Sequence, residues 1–539
     1  MSMAARAWKA ISSSSTSASG TGLEGGIIDM SSRPCFIGID LGTSTCKTLA
    51  LDAEGGVIAR ASADYPLVTP RPGWAEQDPE LWWQATVETM QAVMAQLQGW
   101  QVQAIGLTGQ MHGLVPLDAF DRVIRPAMLW CDQRAAPQCD TITERVGGLD
   151  ALLALSNNRM LPGFTGGKFL WMAEHEPDAF ARMHRFLNPK DYLRLRMTGV
   201  HATDVSDASG TGLFDVRRRK WSPDLLAVVR LTEAHAPTVF ESSEVTAGLS
   251  AEAAALWGLP PGLPVVAGGG DAVMQTTSQG VVEPGSIGLT IGTAGIVGGA
   301  ARSCPDNRGG LVQVSCGNAP DRWHVMGVSL NAGGSFHWLK ETLEPLAGGD
   351  LSFDRLAELA KSTPPGAEGL LFLPYLMGER CPDIAADGRG AWVGLTRGHG
   401  LGHMSRAVME GVLFNMRAIL DLFAEAGLTC DRLRASGGAT ASKVWLELLA
   451  DVTGRPVATV SGASEGGAFG AALLAGVGAG RWRSLDDAVK VVAETAHVQP
   501  DPARAGLYDA MHPIYKTLYP ALQATFSQLA VLADRKVSS

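Results

Sequence analysis

Several features are missing from this chain, and each absence narrows what it can be. The eight cysteines, Cys35, Cys46, Cys131, Cys139, Cys304, Cys316, Cys381 and Cys430, form no C-x-x-C pair and have no nearby histidine at zinc-finger spacing, so reduced thiols in a cytosolic protein are the plain reading. No apolar run is long enough to span a bilayer; the uncharged stretch Pro284 to Ala301 is broken by glycines and threonines. There is no excess of positive charge either: a net charge of -10 argues against nucleic acid or an anionic membrane as the main partner. ATP stays open, because its charge can be met locally by loop amides and magnesium. The familiar phosphate loop, glycines and then Lys-Ser/Thr opening a helix, is also absent. A soluble, cytoplasmic protein with small-molecule partners is expected.

Residues 1–34 lack an apolar core for a secretory signal and are rich in serine. They read as a disordered extension or the product of an upstream start codon, with Met30 the alternative beginning. That reading is preferred to the transit peptide that Arg6, Lys9 and the serines faintly resemble. The chain as a whole is 46% hydrophobic, and 539 residues are too many for one core, so at least two domains with a cleft between them are expected.

Two glycine-threonine loops, each following an apolar strand-like run, lie about half a chain apart. The first is Cys35-Phe-Ile-Gly-Ile-Asp40-Leu-Gly42-Thr43-Ser44-Thr45, and the second is Ile287-Gly-Leu-Thr290-Ile-Gly292-Thr293-Ala294-Gly295. A returning strand after the first makes it a hairpin, whose backbone N–H groups can be aimed at an anion. One such loop is usually only a turn; the pair predicts two related lobes clamping one nucleotide. Asp40, at the end of the first strand, is placed to hold hydrated magnesium beside the phosphates.

Further clusters supply polar groups. The strand ending at Thr108 runs into Gly109-Gln110-Met111-His112-Gly113, and the strand at 126–130 ends in Trp130-Cys131-Asp132-Gln-Arg134, which together describe a polar pocket at one sheet edge. Read singly, His112 could be structural and Asp132 with Arg134 a helix cap and surface pair. Gly268-Gly269-Gly270-Asp271 puts a carboxylate at a helix start, where the bland alternative is an N-cap. The charges from Asp204 to Asp207 read as solvated face and internal ion pairs, with Asp207 a minor substrate candidate. Late in the chain, Gly437-Gly438-Ala439 precedes one helix and Glu465-Gly466-Gly467 another, leaving room for a flat adenosine; a helix-to-strand joint is the alternative.

With these pieces in order the chain resembles the FGGY family of carbohydrate kinases from about residue 35 to 520, and within it the bacterial xylulokinase branch. The resemblance rests on Gly38-Ile-Asp40-Leu-Gly42-Thr43-Ser44, Gly73-Trp74-Ala-Glu76-Gln77-Asp78-Pro79, Gly109-Gln110-Met111-His112-Gly113, Pro162-Gly163-Phe164-Thr165, Lys190-Asp191-Tyr192, Gly268-Gly-Gly-Asp271 and Gly378-Glu379-Arg380. It implies an α/β fold of two actin/Hsp70-like (ribonuclease H-like) ATPase domains with an interdomain catalytic cleft. The sugar-binding and catalytic domain would span 35–280, the nucleotide-binding domain 281–520, and a tail 521–539. It further implies transfer of the ATP γ-phosphoryl group to D-xylulose, with Asp271 as general base. Met111, His112, Trp130 and Asp132 would lie on the sugar and Asp40 on Mg2+. Gly42, Thr43, Ser44, Thr45, Gly292 and Thr293 would hold the phosphates, with Gly437, Gly438 and Ala439 beside adenosine. Homodimers are a further expectation. Many xylulokinases carry asparagine after the catalytic aspartate and this chain has Ala272, which leaves another pentulose or a polyol as alternative substrate. An actin-like nucleotide switch is the alternative from another class.

Overall fold

The computed structural model describes residues 33–534 apart from 347, 349 and 350. Residues 1–32, which hold nearly all of the expected N-terminal extension and Met30, lie outside the described residues. No described helix is long and apolar enough to cross a membrane.

Two seven-stranded sheets share one plan. In the first, Arg33–Leu41 pairs antiparallel with Thr45–Asp52, which pairs antiparallel with Val57–Asp64; the other edge of Arg33–Leu41 pairs in parallel with Trp100–Gly109. In the second, Gly285–Ile291 pairs antiparallel with Gly295–Ala301, which pairs antiparallel with Trp323–Ser329; its other edge pairs in parallel with Cys430–Ser436. The two glycine-threonine loops are thus the first hairpin turns of two equivalent sheets. A parallel partner needs a crossover. In the first lobe the helix Pro79–Met94 provides it, started by Asp78, whose side chain accepts the Glu80 N–H, and by Pro79 at the first helical position.

One helix joins the lobes. Gly467–Gly478 follows a strand of the second sheet yet lies on the first, where Ala468, Phe469 and Ala471 share a core with Phe36, Leu49 and Ala104. Glycine permits the contact: a Cβ on Gly38 would stand 1.9 Å from the Ala468 carbonyl oxygen, and one on Gly106 2.0 Å from that of Ala471. The segment set apart as a tail is helical through Asp534, in the helix Leu518–Asp534.

Candidate active site

Sheet register brings the two key carboxylates together. Asp40 pairs with Thr108 and Leu41 with Gly109, while Gly269 and Gly270 pair with Thr108 and Gly109 from the opposite side. Asp40 and Asp271 therefore flank the end of the Trp100–Gly109 strand. Asp271 is the first residue of the helix Asp271–Ser278, with Gly270 at the cap position, so it is not the N-cap. Its carboxylate accepts the Ala272 N–H at 2.8 Å. Burial, and then the charge of Asp40, push Asp271 up to about 7. Burial pushes Asp40 up to about 6, with Lys47 and the Gly467 N–H pulling the other way.

The residues after Gly109 build the polar pocket beside Asp271. Met111 lies over Gly270, where a Cβ would come within 2.6 Å of its sulfur. His112 adopts the left-handed region at φ 69°. Its carbonyl accepts from Thr165 Oγ1 at 3.1 Å and Lys168 Nζ at 2.8 Å. The ring stacks on Phe164 with centroids 4.6 Å apart, and Nδ1 lies 2.5 Å from the Gly210 carbonyl. Burial lowers His112 to about 3, so the ring is neutral. A carbonyl can only accept, so Nδ1 carries the proton and Nε2 is left as an acceptor suited to a hydroxyl. A small cavity of about 20 Å³ is lined by Met111, His112, Phe164, Gly210 and Ala272 among others.

Trp130 is half-exposed, and its Nε1–H donates to Thr43 Oγ1 at 2.9 Å, joining its own loop to the first hairpin. Asp132 lies elsewhere than expected. It is fully buried, accepting the Ala75 N–H at 2.7 Å and Arg134 Nη2–H at 2.7 Å, with Arg134 stacked 3.6 Å over Trp74. Two residues past Trp130 the chain has turned inward, and protein donors satisfy this carboxylate; Asp132 supports the loop and does not line the cavity. Asp204 and Asp207 are likewise buried, not solvated, and pair with Lys190 at 2.9 and 3.3 Å. Through Ser206 Oγ, which donates to Asp204 at 2.5 Å and accepts the Gly270 N–H at 3.0 Å, this network grips the residue before Asp271.

The two glycine-threonine hairpins differ in detail. In the first, Gly42 N–H bonds the Thr45 carbonyl at 3.0 Å, Ser44 forms an exposed tip, and the Thr45 hydroxyl is directed to Asp64 at 2.6 Å. In the second, Gly292 and Thr293 line a cavity of about 950 Å³ together with Gly438 and Ala439. Gly437 makes the turn, at φ +91°, where a Cβ would stand 2.5 Å from the Ile291 carbonyl oxygen. The same cavity is walled by Phe336, Trp338, Phe353 and Trp445, which have no signature in the sequence: aromatics spread over three helices carry no motif.

Among the described residues no cluster of three or more His, Cys, Asp or Glu could hold a metal by itself. Asp40 and Asp271 suit Mg2+ in another way, since this ion commonly takes one or two carboxylates and completes its shell with phosphate oxygens and water. Two half-buried carboxylates, one of which raises the other's cost of ionisation, are a fitting donor set for such a cation.

The family model for the N-terminal domain of the FGGY family of carbohydrate kinases matches residues 35–277, and that for the C-terminal domain matches 288–479. The chain belongs to the FGGY family of carbohydrate kinases. This FGGY kinase is 38% identical to the xylulose kinase of Escherichia coli (strain K12) over 488 residues, covering 90% of this chain and 99% of that one. It is 37% identical to the xylulose kinase of Bacillus subtilis (strain 168) over 486 residues, 90% of this chain and 96% of the relative. The crystal structure of xylulose kinase from Rhodospirillum rubrum superimposes with a TM-score of 0.86 at 30% identity, covering 92% of this chain and all of that one. Membership makes the protein a sugar phosphotransferase using ATP and Mg2+, not an actin-like switch, and accounts for the repeated sheet plan as two ATPase-like domains.

Proposed function

We propose that this kinase phosphorylates D-xylulose at a primary hydroxyl to give D-xylulose 5-phosphate, with Asp271 as general base, in the cytoplasm. The observation that carries the reading is the placement of Asp271: its carboxylate stands between the Met111–His112 pocket and Asp40, with backbone N–H groups fixing its orientation. Its raised pKa, about 7, matches a base that must take a proton near neutrality and give it up again.

His112, neutral and locked by Gly210, Thr165 and Lys168, accepts from a sugar hydroxyl and orients the chain. The reacting hydroxyl oxygen forms its bond to the γ-phosphorus as its proton passes to Asp271, and the bond to the bridging oxygen breaks to release ADP. Positioning and charge stabilisation dominate such a transfer. Asp40, with Asp271 across the strand end, would hold Mg2+, which neutralises phosphate charge when bound. Gly292 and Thr293 hold the phosphate tail, and Gly438 and Ala439 border adenosine against the aromatic walls. Ala272 borders the small cavity where an asparagine amide could have bonded a sugar hydroxyl; without it, the site has less power to reject a second pentulose or a polyol.

The test is ADP release with Mg-ATP and a panel of D-xylulose, D-ribulose, L-xylulose, L-ribulose, D-fructose, glycerol and D-arabinitol. D-Xylulose is expected to give the highest kcat/KM; a higher value for another member would overturn the sugar and leave the kinase.

A further inference from the structure

The second lobe presents a cation that no carboxylate among the described residues pairs with directly. The loop around Glu379 is held from within: the buried Glu379 carboxylate accepts from the Ser329 hydroxyl at 2.9 Å, the Leu330 and Arg380 N–H groups at 2.8 Å each, and the Asn415 amide at 2.8 Å. Two backbone bonds to Ala385, at 2.8 and 2.9 Å, close the loop. The side chain of Arg380 stands apart from this network. Among the described residues it makes no ion pair and no side-chain hydrogen bond, although it is half-buried. Arg134, Arg194 and Arg406, also withdrawn from water, each pair with a carboxylate. Burial disfavours the Arg380 charge, and the opposing charge acting on it comes from Glu379, which burial itself pushes up to about 7.

That guanidinium faces a cavity of about 330 Å³ between the lobes, walled by Met160, Leu161 and Phe164 from the first and Gln313 and Met326 from the second. Phe164, Gln313 and Met326 also wall the small cavity at His112 and Ala272, so the two spaces adjoin. Arg380 lies close enough for its charge to act on His112.

We propose that Arg380 is a substrate-binding residue supplied by the second lobe, its guanidinium donating hydrogen bonds to the oxygens at the end of the open-chain sugar farthest from the reacting hydroxyl. This deepens the sugar-kinase reading of the site and rests on it. With the reacting hydroxyl at Asp271 and the chain passing His112, the far end of the sugar enters the space beside Phe164, where a planar five-donor group meets its carbonyl and hydroxyl acceptors. A rigid Glu379 anchor fixes where that group stands. Sugar held at one end by the first lobe and at the other by the second couples binding to closure of the cleft.

The test measures KM for sugar and for Mg-ATP in the wild type, R380M and R380K, using whichever neutral sugar the wild type turns over best. A different preferred sugar would overturn the D-xylulose reading alone and leave this comparison intact. R380M, which keeps the stem and removes charge and donors, is expected to raise the sugar KM about 10–100-fold, with R380K between and the ATP KM within about twofold. An unchanged sugar KM in R380M, or equal shifts in both KM values, would overturn the assignment. R380Q replaces R380M in the same comparison if thermal unfolding shows R380M to be misfolded.

Discussion

Asp40 and Asp271 stand at the same end of one sheet with a single strand between them, and burial together with the Asp40 charge holds the Asp271 carboxyl near 7. A carboxylate that shares its site with a second one is poised for protonation until a cation arrives.

That relationship fixes a pH dependence. As the base proposed above, Asp271 has to be ionised to accept the hydroxyl proton, so turnover is expected to fall as pH drops below its pKa, about tenfold per pH unit well below it. In metal- and nucleotide-free protein the Asp271 carboxyl is expected to titrate near 7 by 13C NMR, and D40N, by removing a neighbouring negative charge, to titrate lower. A titration at the ordinary 3.8 in the wild type would contradict the geometry.

The same carboxylate costs stability. Its folded pKa is raised from 3.8 to about 7, so between those values the unfolded chain loses a proton that the folded one keeps, and stability declines as pH rises through that window. D271N removes the penalty. Thermal unfolding at pH 8 without ligand should place its Tm several degrees above wild type, with the gain vanishing near pH 4. An equal Tm at both pH values would mean the carboxylate is not desolvated.

Packing of the crossing helix makes a separate prediction. Gly106 leaves room for the Ala471 carbonyl, which an added Cβ would approach to 2.0 Å. Because the obstacle is helix backbone, relief requires moving the whole helix that carries Gly467 to Asp40. G106A should lose about 1–3 kcal/mol in urea unfolding and weaken Mg-ATP binding; unaltered stability would show that the helix is free to shift.

Much of this arrangement was legible in the sequence. The Gly42–Thr45 and Gly292–Thr293 loops mark the two sheets because a hairpin needs its turn residues locally, and Gly109-Gln110-Met111-His112 announces itself as a polar loop after an apolar strand. What escaped depends on contacts distant in the chain. Asp132 reads as a pocket residue until Ala75 and Arg134 are seen to satisfy it, and Asp204 to Asp207 read as surface until Lys190 is found among them. The aromatic walls of the large cavity, Phe336 and Trp445, lie on two helices more than a hundred residues apart and have no shared signature.

The central claim is that Asp271 takes the sugar proton, and the most direct measurement is sugar-dependent ADP release by D271A beside its affinity for Mg-ATP. The account predicts sugar phosphorylation lowered by roughly 10²–10⁴-fold, with nucleotide affinity nearly unchanged. D271A turning over at a near-normal rate would contradict it and remove Asp271 as the base.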